Sequence, residues 1–319
     1  MSTSKFRISN EIRFTRIRIT MLYKKQFETI RNGLLVRAPA KINLSLLVGD
    51  KRPDGFHEIE TVMAKVNLYD EILIQNGRKT GIELLCKGPE WAPQGKENLV
   101  YKACEILIDN LRPKPDLKIT LTKNIPAGSG LGSASSDAAS ALTGIDKFLK
   151  LDIGTHKLSK IAAALGADVP FFLDGPLALC SGKGEKIKKL DEKFDFLALI
   201  ILPDVSVPTK KVYVNFKPDK GLYEKLRAEI KSHIKKNRID LVAKMCANML
   251  QIRCFSLYKE LAELKDKAES LIQGHLCLTG SGSAMFCIVE NRSVETAKKI
   301  KRKLKTVGCK SIIVSNNRW

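Results

Sequence analysis

The stretch NIPAGSGLGSASSDAAS, residues 124–140, places three glycines and a run of serines directly before a segment with helical apolar spacing. It lacks the Lys-Ser or Lys-Thr that closes the G-x-x-x-x-G-K-[ST] phosphate loop. The even spacing of Gly128, Gly130 and Gly132 also differs from the G-x-G-x-x-G dinucleotide pattern. Two interpretations are open at this point: a flexible turn, or a phosphate-binding loop of another kind.

The neighbours of this stretch favour phosphate binding. Upstream, apolar and polar residues alternate over 117–121, as in a half-buried strand. Downstream, residues 138–149 carry apolar side chains at helical intervals, which predicts a helix with Ser135 or Ser136 as its N-cap and Asp137 in its first turn. Backbone N–H groups and the helix dipole at such a junction attract an anion.

The rest of the chain mixes predicted strands and helices without regular alternation, which is typical of the α+β class. Pro39 is predicted to separate two strands. The predicted strands cover residues 34–38, 42–48, 71–74, 117–121, 196–202 and 311–314, with a strand and glycine loop over 275–289. The predicted helices cover residues 98–110, 138–149, 158–165 and 294–304.

Composition indicates an ordinary globular protein. The 319 residues are enough for two domains, and 44% of them are hydrophobic. The longest strongly apolar run, residues 196–202, is far shorter than the roughly 20 residues of a membrane-spanning helix. The eight cysteines form no C-x-x-C pair, so neither a zinc ribbon nor a thioredoxin-like motif is supported, and we expect buried thiols in a reducing compartment.

The net charge of +21 suggests nucleic-acid binding as one hypothesis. Residues 1–37 hold nine Lys/Arg against two Glu, and residues 292–319 hold nine against one, so most of the excess charge lies near the two ends. Residues 292–318 contain no aromatic residue for base stacking, whereas residues 1–37 contain four. A solvated basic surface explains the charge better, with attraction of an anionic substrate as a second effect.

Five clusters together resemble the GHMP kinases. They are APAKINL (38–44), DGFHEIET (54–61), the opening stretch, GADVP (166–170) and LTGSGS (278–283), in the family's order over roughly residues 34–290. The resemblance implies a two-domain α+β fold, with a ribosomal protein S5 domain 2-like N-terminal domain (33–190), a ferredoxin-like C-terminal domain (191–319) and a site between them. Residues 1–32 would be a basic, mobile tail.

The resemblance also implies an ATP-dependent kinase that phosphorylates an alcohol. Asp168 would be the general base, and Lys41 would hold it ionised and lower the pKa of the attacked hydroxyl. The alternatives are a turn-capping aspartate and a strand-edge lysine. No carboxylate cage for a metal is visible, so Mg²⁺ is expected on the ATP phosphates, with waters and a loop serine hydroxyl.

The remaining site residues follow from the same resemblance. ATP would contact the loop and the adenine pocket, which comprise Pro126, Ala127, Gly128, Ser129, Gly130, Leu131, Gly132, Ser133, Ala134, Ser135, Ser136, Asn98, Leu99 and Lys123. Ser133 and Ala134 replace glycines common in the family and are predicted in the first helical turn. As ordinary alternatives, Leu99 is a core residue and Lys123 a solvated one.

The alcohol substrate would be a cytidine diphosphate derivative held by Asn43, Phe56, His57 and Thr209. Phe56 stands where the family usually has tyrosine, so it keeps the stacking face and loses a hydroxyl. Another GHMP kinase activity, on homoserine or a mevalonate-type alcohol, is the alternative within the family. The DGFHEIET cluster argues against it.

The first 32 residues lack the apolar core of a signal peptide. They are interpreted either as an organelle transit peptide or as an extension before a start at Met21. The expected location is the cytoplasm, and a plastid only if this segment is a transit peptide. Expected partners are the small-molecule substrate alone, without nucleic acid or membrane, in a monomer or weak homodimer.

Overall fold

The computed structural model of the protein describes residues 24–78, 81–190, 194–272 and 274–319. Its strands are β1 (Phe27–Ile30), β2 (Gly33–Lys51), β3 (His57–Asn76), β4 (Ile82–Lys87), β5 (Leu117–Thr122), β6 (Leu177–Gly182), β7 (Lys186–Lys189), β8 (Leu197–Leu202), β9 (Cys277–Leu278), β10 (Met285–Ile288) and β11 (Lys310–Ser315). Its helices are α1 (Leu99–Ile108), α2 (Ser133–Leu149), α3 (Thr155–Leu165), α4 (Val169–Leu173), α5 (Thr209–Val214), α6 (Lys220–Lys235), α7 (Ile239–Lys244), α8 (Gln251–Leu257), α9 (Lys259–Ile272) and α10 (Val294–Thr306).

The first sheet is built around the long antiparallel pair β2 and β3. Its strand order is β1-β2-β3-β5-β4, and β6 joins β3 to β7. The two halves of β3 have different partners: residues 59–64 pair with β6, and residues 71–76 pair with β5. Strand β3 therefore holds two strands in the same sheet: β5, which leads into the glycine-rich loop, and β6, which follows α4.

Two sequence predictions about this sheet are wrong. Pro39 does not separate two strands, because β2 runs continuously through it and shifts its register against β3 between Pro39 and Ala40. A bulge of this kind accommodates the missing N–H of proline. The predicted tail also extends too far, because Phe27–Ile30 pairs with residues 33–36. Residues 1–23, which include Met21, lie outside the described residues.

The second sheet has the order β11-β8-β10-β9, and every neighbouring pair in it is antiparallel. Its central strand β8 is almost entirely buried, as its continuous apolar run predicts. The chain's last residues return to the first sheet, where the Asn317 amide donates to the Lys65 carbonyl at 2.8 Å.

Helix α2 packs against the first sheet through its small residues. A Cβ atom at Gly144 would lie 2.7 Å from Ile74 and 2.8 Å from Val36, so glycine permits the close approach. This packing fixes the N-terminus of α2, and with it the end of the glycine-rich stretch, against the sheet.

The prediction of free thiols throughout is wrong for one pair, because the structure joins Cys246 and Cys277 in a disulfide. Of the six other cysteines, all are buried except Cys86, which is half-buried. No helix among the described residues is long and apolar enough to cross a membrane.

Candidate active site

A cavity of about 1150 Å³ brings together side chains from distant parts of the chain. Every predicted site residue borders it except Ser136, whose hydroxyl is buried inside α2. The predicted residues that line it are Lys41, Asn43, Phe56, His57, Asn98, Leu99, Lys123, residues 126–135, Asp168 and Thr209.

The glycine-rich loop ends in an exposed helix N-terminus. Helix α2 starts at Ser133 with Gly132 as its N-cap, so the predicted cap at Ser135 or Ser136 is wrong and the predicted helical position of Ser133 and Ala134 is confirmed. Gly132 has a φ of 73° and no side chain to cap the first turn. The first N–H groups of α2 therefore remain for an anion in the cavity.

A second loop, residues 279–283, holds the first from the other side. The Ala284 amide donates to the Ser129 carbonyl at 3.0 Å, and the Thr279 hydroxyl donates to the Gly130 carbonyl at 3.3 Å. A Cβ atom at Gly130, where φ is 81°, would lie 2.2 Å from the Thr279 carbonyl oxygen. Only glycine fits this contact, so the two loops form one preorganised cradle.

Lys41 lies buried beside the N-terminus of α2. Its ammonium donates to Asn43 Oδ1 at 2.6 Å, and its Nζ lies 4.0 Å from Asp168 Oδ2. Burial lowers the pKa of Lys41, while the Asp168 charge opposes that shift. Asn43 Oδ1 also accepts from the Gly280 amide at 2.9 Å. One amide side chain thus orients the lysine and the second loop together.

Asp168 is held at the start of α4, where it is the N-cap residue. Its side chain is 36% exposed on the cavity side, whereas the next four residues, 169–172, are buried. A buried apolar helix therefore presents one carboxylate to the cavity, next to an ammonium and a helix N-terminus. Such a site can accept a proton and stabilise charge on a phosphoryl group.

Aromatic residues line the part of the cavity beyond Asp168. His57 lies 5.8 Å from the Tyr213 ring and 5.9 Å from Phe216. Its Nδ1 lies 2.9 Å from the Gly49 carbonyl, and because a carbonyl only accepts, Nδ1 carries the proton. In the neutral ring, Nε2 is then an acceptor. Phe56 is 53% exposed, with the Lys183 ammonium 4.9 Å from its ring centroid.

The cavity is also lined by a second group of residues, named here the second arm: Trp91, Ala92, Pro93, Asn98 and Leu99. Asn98 caps α1 by accepting from the Val100 amide at 2.8 Å, and it donates to the Pro93 carbonyl at 2.7 Å. The Trp91 side chain is 73% exposed at this arm. The arm therefore offers an apolar wall and a free aromatic face.

Lys123 borders the cavity, and the alternative of a solvated lysine is wrong. It is 2% exposed rather than solvated, and its ammonium contacts Asp70, Ser133 and Asp137 beneath the loop. Burial raises the pKa of Asp137 well above its ordinary value, and the Asp70 charge adds to the shift. This buried network anchors the first turn of α2 to the sheet.

Sequence reasoning missed several cavity residues. Tyr213 sits four residues after Thr209 on α5, and one helical turn would have placed it on the same face. Trp91 precedes Asn98 in a segment with no strand or helix pattern, so nothing in the sequence assigned it to the cavity. Asp70 does not border the cavity but supports the loop from beneath; it sits inside a long strand, where its contact with Lys123 depends on tertiary packing alone.

Comparisons with known proteins identify the relatives of this chain. The GHMP kinases N terminal domain model matches residues 98–176, and the GHMP kinases C terminal model matches residues 229–308. A 4-diphosphocytidyl-2-C-methyl-D-erythritol kinase of Clostridium botulinum (strain Eklund 17B / Type B) is 34% identical over 79% of this chain and 89% of its own length. One of Geobacter sulfurreducens is 36% identical over 81% and 90%.

Solved structures agree with these matches. A crystal structure of 4-(cytidine 5'-diphospho)-2C-methyl-D-erythritol kinase has a TM-score of 0.70 and 28% identity, covering 89% of this chain and all of that one. A homoserine kinase from Cytophaga hutchinsonii has the same TM-score at 20% identity, covering 92% and 98%, which shows the shared fold alone. The predicted two-domain GHMP kinase fold is confirmed. The chain therefore belongs to the GHMP kinase family and, within it, to the 4-diphosphocytidyl-2-C-methyl-D-erythritol kinases.

Proposed function

We propose that the protein transfers the γ-phosphoryl group of ATP to the 2-hydroxyl of 4-diphosphocytidyl-2-C-methyl-D-erythritol, a step in isoprenoid precursor biosynthesis by the methylerythritol phosphate pathway. The observation that carries the proposal is one cavity in which the N-terminus of α2 meets the Lys41–Asp168 pair. Sequence relatives with that activity support the choice of alcohol.

In the proposed reaction, Asp168 accepts the proton of the 2-hydroxyl as its oxygen attacks the γ-phosphorus. A new P–O bond forms, the bond between the γ-phosphorus and the β–γ bridging oxygen breaks, and ADP leaves with the bonding electrons. The N–H groups at the start of α2 and the Lys41 ammonium stabilise charge on the transferred group. Asn43 keeps the ammonium aimed at this position.

The two arms of the cavity accommodate the two bases in this proposal. Cytosine stacks on Phe56 and Tyr213, and its exocyclic amine donates to Nε2 of His57. The Thr209 hydroxyl, which forms a hydrogen bond with the Ser281 hydroxyl at 2.9 Å, lies in the same arm in this proposal. Adenine lies against Leu99 and stacks on Trp91. Lys123 then acts on ATP indirectly, by holding Ser133 and Asp137 beneath the loop.

Mg²⁺ fits the residues present only as an ion carried by ATP. No cluster of three or more metal-binding side chains occurs in the part of the chain that the structure describes. Asp137 borders the cavity with one buried carboxylate oxygen that has no hydrogen-bond partner, and the Ser133 hydroxyl contacts the same Lys123 ammonium as Asp137. One carboxylate, a hydroxyl and phosphate oxygens are a usual magnesium environment. When bound there, the ion would neutralise phosphate charge during transfer.

Activity on homoserine or mevalonate is the alternative within the family, and the aromatic arm argues against it, because neither alcohol carries a base to stack. The experiment measures ADP formation by the whole chain with each of three alcohols: 4-diphosphocytidyl-2-C-methyl-D-erythritol, homoserine and mevalonate. We expect rapid, alcohol-dependent ADP release with the first alone. Release that is no faster with this alcohol than without it would overturn the proposal.

The remaining parts of the proposal concern partners. The protein would act in the cytoplasm on small molecules, as a monomer or weak homodimer, and its basic charge would not serve nucleic-acid binding. A mobility-shift titration of the whole chain with duplex DNA and with RNA at physiological ionic strength tests the last point. We expect no sequence-independent shift, and a tight shift that disappears with added salt would contradict it.

A further inference from the structure

Lys65 is a buried lysine that the proposed reaction does not use. It lies on β3 and is 1% exposed. Its ammonium donates to the carbonyls of Phe172 at 3.1 Å and Asp174 at 2.5 Å, and the Phe171 ring centroid is 5.8 Å away. All these partners belong to the end of α4 and the residue that follows it.

A lysine at this position carries a cost that an apolar residue would avoid. Removing an ammonium from water is unfavourable unless hydrogen bonds compensate. Burial lowers the pKa of Lys65 to about 7, against an opposing effect from Asp174. The hydrogen bonds to the end of α4 compensate this cost, because the last carbonyls of a helix lack partners within the helix. A cation is also favourable at the C-terminal, negative end of the helix dipole.

The main chain of Lys65 contacts the same segment. Its amide donates to the Pro176 carbonyl at 2.8 Å. Side chain and main chain of one residue thus fix the connection from α4 to β6 onto β3.

Helix α4 in turn determines where the reacting groups stand. Asp168 is its N-cap residue, and Phe172 lies on its last turn. A Cβ atom at Gly132 would lie 2.9 Å from the Phe172 ring, so this ring packs directly under the phosphate loop. A shift of the C-terminal end of α4 would therefore move both the carboxylate and the support of the loop.

We propose that Lys65 is a positioning residue for phosphoryl transfer: its ammonium clamps the C-terminal end of α4 to β3 and so fixes Asp168 against Lys41 and the phosphate loop. The inference rests on the proposed role of Asp168. It assigns Lys65 no contact with either substrate, so its loss should affect turnover far more than binding.

The test compares Lys65→Met with Lys118→Met, in which an exposed lysine of the neighbouring strand β5 undergoes the same change. For Lys65→Met we expect kcat to fall about 10- to 100-fold, because small misplacements of reacting groups have effects of that size. The KM values for ATP and the alcohol should change less than about threefold. Lys118→Met should match the wild type in every measurement.

Amide hydrogen exchange supplies a readout that is independent of activity. Residues 166–176 should exchange faster in Lys65→Met than in the wild type, while the second sheet is unchanged. Uniformly faster exchange, or kcat within twofold of the wild type, would overturn the clamp. If Lys65→Met does not fold by circular dichroism, Lys65→Gln, which keeps an N–H donor without charge, is judged by the same criteria.

Asp168→Asn, measured in parallel, separates the two hypotheses. An inactive Asp168→Asn beside a fully active Lys65→Met overturns the clamp alone. Full activity of Asp168→Asn overturns the proposed function on which the clamp rests.

Discussion

Replacing Lys41 by methionine removes the ammonium next to the Asp168 carboxylate, the proposed general base, while keeping most of the side chain's volume. The attacking oxygen must lie within hydrogen-bond reach of Asp168, and so at a distance from Lys41 Nζ similar to the observed 4.0 Å. A unit charge at that distance interacts with the ammonium by about 4 kcal/mol at an effective dielectric constant of 20, and by about 1 kcal/mol in water. Because Asp168 is 36% exposed, we expect a value between these limits, about 2–3 kcal/mol.

That energy corresponds to a fall in kcat of roughly 30- to 150-fold. The fold should persist, because methionine removes a buried charge and Asn43 Oδ1 still accepts from the Gly280 amide. The assay measures initial rates of ADP formation at saturating ATP and alcohol, with thermal unfolding as the check on folding and Lys118→Met as the matched control. A folded Lys41→Met with kcat within threefold of the wild type would refute the electrostatic role of Lys41.

Three further predictions concern the loop, the nucleotide arm and pH. Gly130→Ala should raise the KM for ATP at least tenfold, because the new Cβ would collide with the Thr279 carbonyl and because residue 130 has a positive φ. An unchanged KM in steady-state kinetics would contradict the proposed contact between the two loops. Trp91→Ala should weaken ATP binding by about 1–2 kcal/mol, the value of one stacked base, as measured by calorimetry beside Trp91→Phe, which should retain most of the affinity. Burial lowers the pKa of Lys65 from 10.5 to about 7. Between these two pH values the unfolded chain binds more protons than the folded chain, so the free energy of unfolding should rise with pH across that window. Urea unfolding at several pH values should show this rise in the wild type and a smaller one in Lys65→Met.

The sequence was sufficient to predict the fold class and a glycine-rich loop that leads into a helix, because both have signatures in local sequence patterns. Gly130 and Gly132 occupy positive φ, and the helix that follows has clear apolar spacing. The Lys41 and Asp168 clusters could be joined to the loop only through a resemblance to a known family. Apolar periodicity alone does not predict that Lys41 Nζ and Asp168 Oδ2 lie 4.0 Å apart.

What the sequence did not predict depends on long-range packing. The N-cap of α2 was misplaced by three or four residues, because a serine is the commoner N-cap and the actual cap, Gly132, has no side chain to signal it. Lys123 was predicted to line the adenine pocket, with a solvated lysine as the alternative, and no local pattern indicated its buried contact with Asp70 on another strand. Lys65 gave no signal for the same reason, since its partners are main-chain carbonyls more than a hundred residues away.

The most direct test of the central claim is a comparison of wild type and Asp168→Asn in the conversion of ATP and 4-diphosphocytidyl-2-C-methyl-D-erythritol to ADP and the 2-phosphorylated product. Asparagine preserves the shape of the side chain and cannot accept the proton as a carboxylate does. We predict one ADP per product molecule in the wild type. In Asp168→Asn we predict a kcat about 10²- to 10⁴-fold lower, with an ATP affinity within threefold of the wild-type value. A folded Asp168→Asn that turns over at near the wild-type rate would contradict the account.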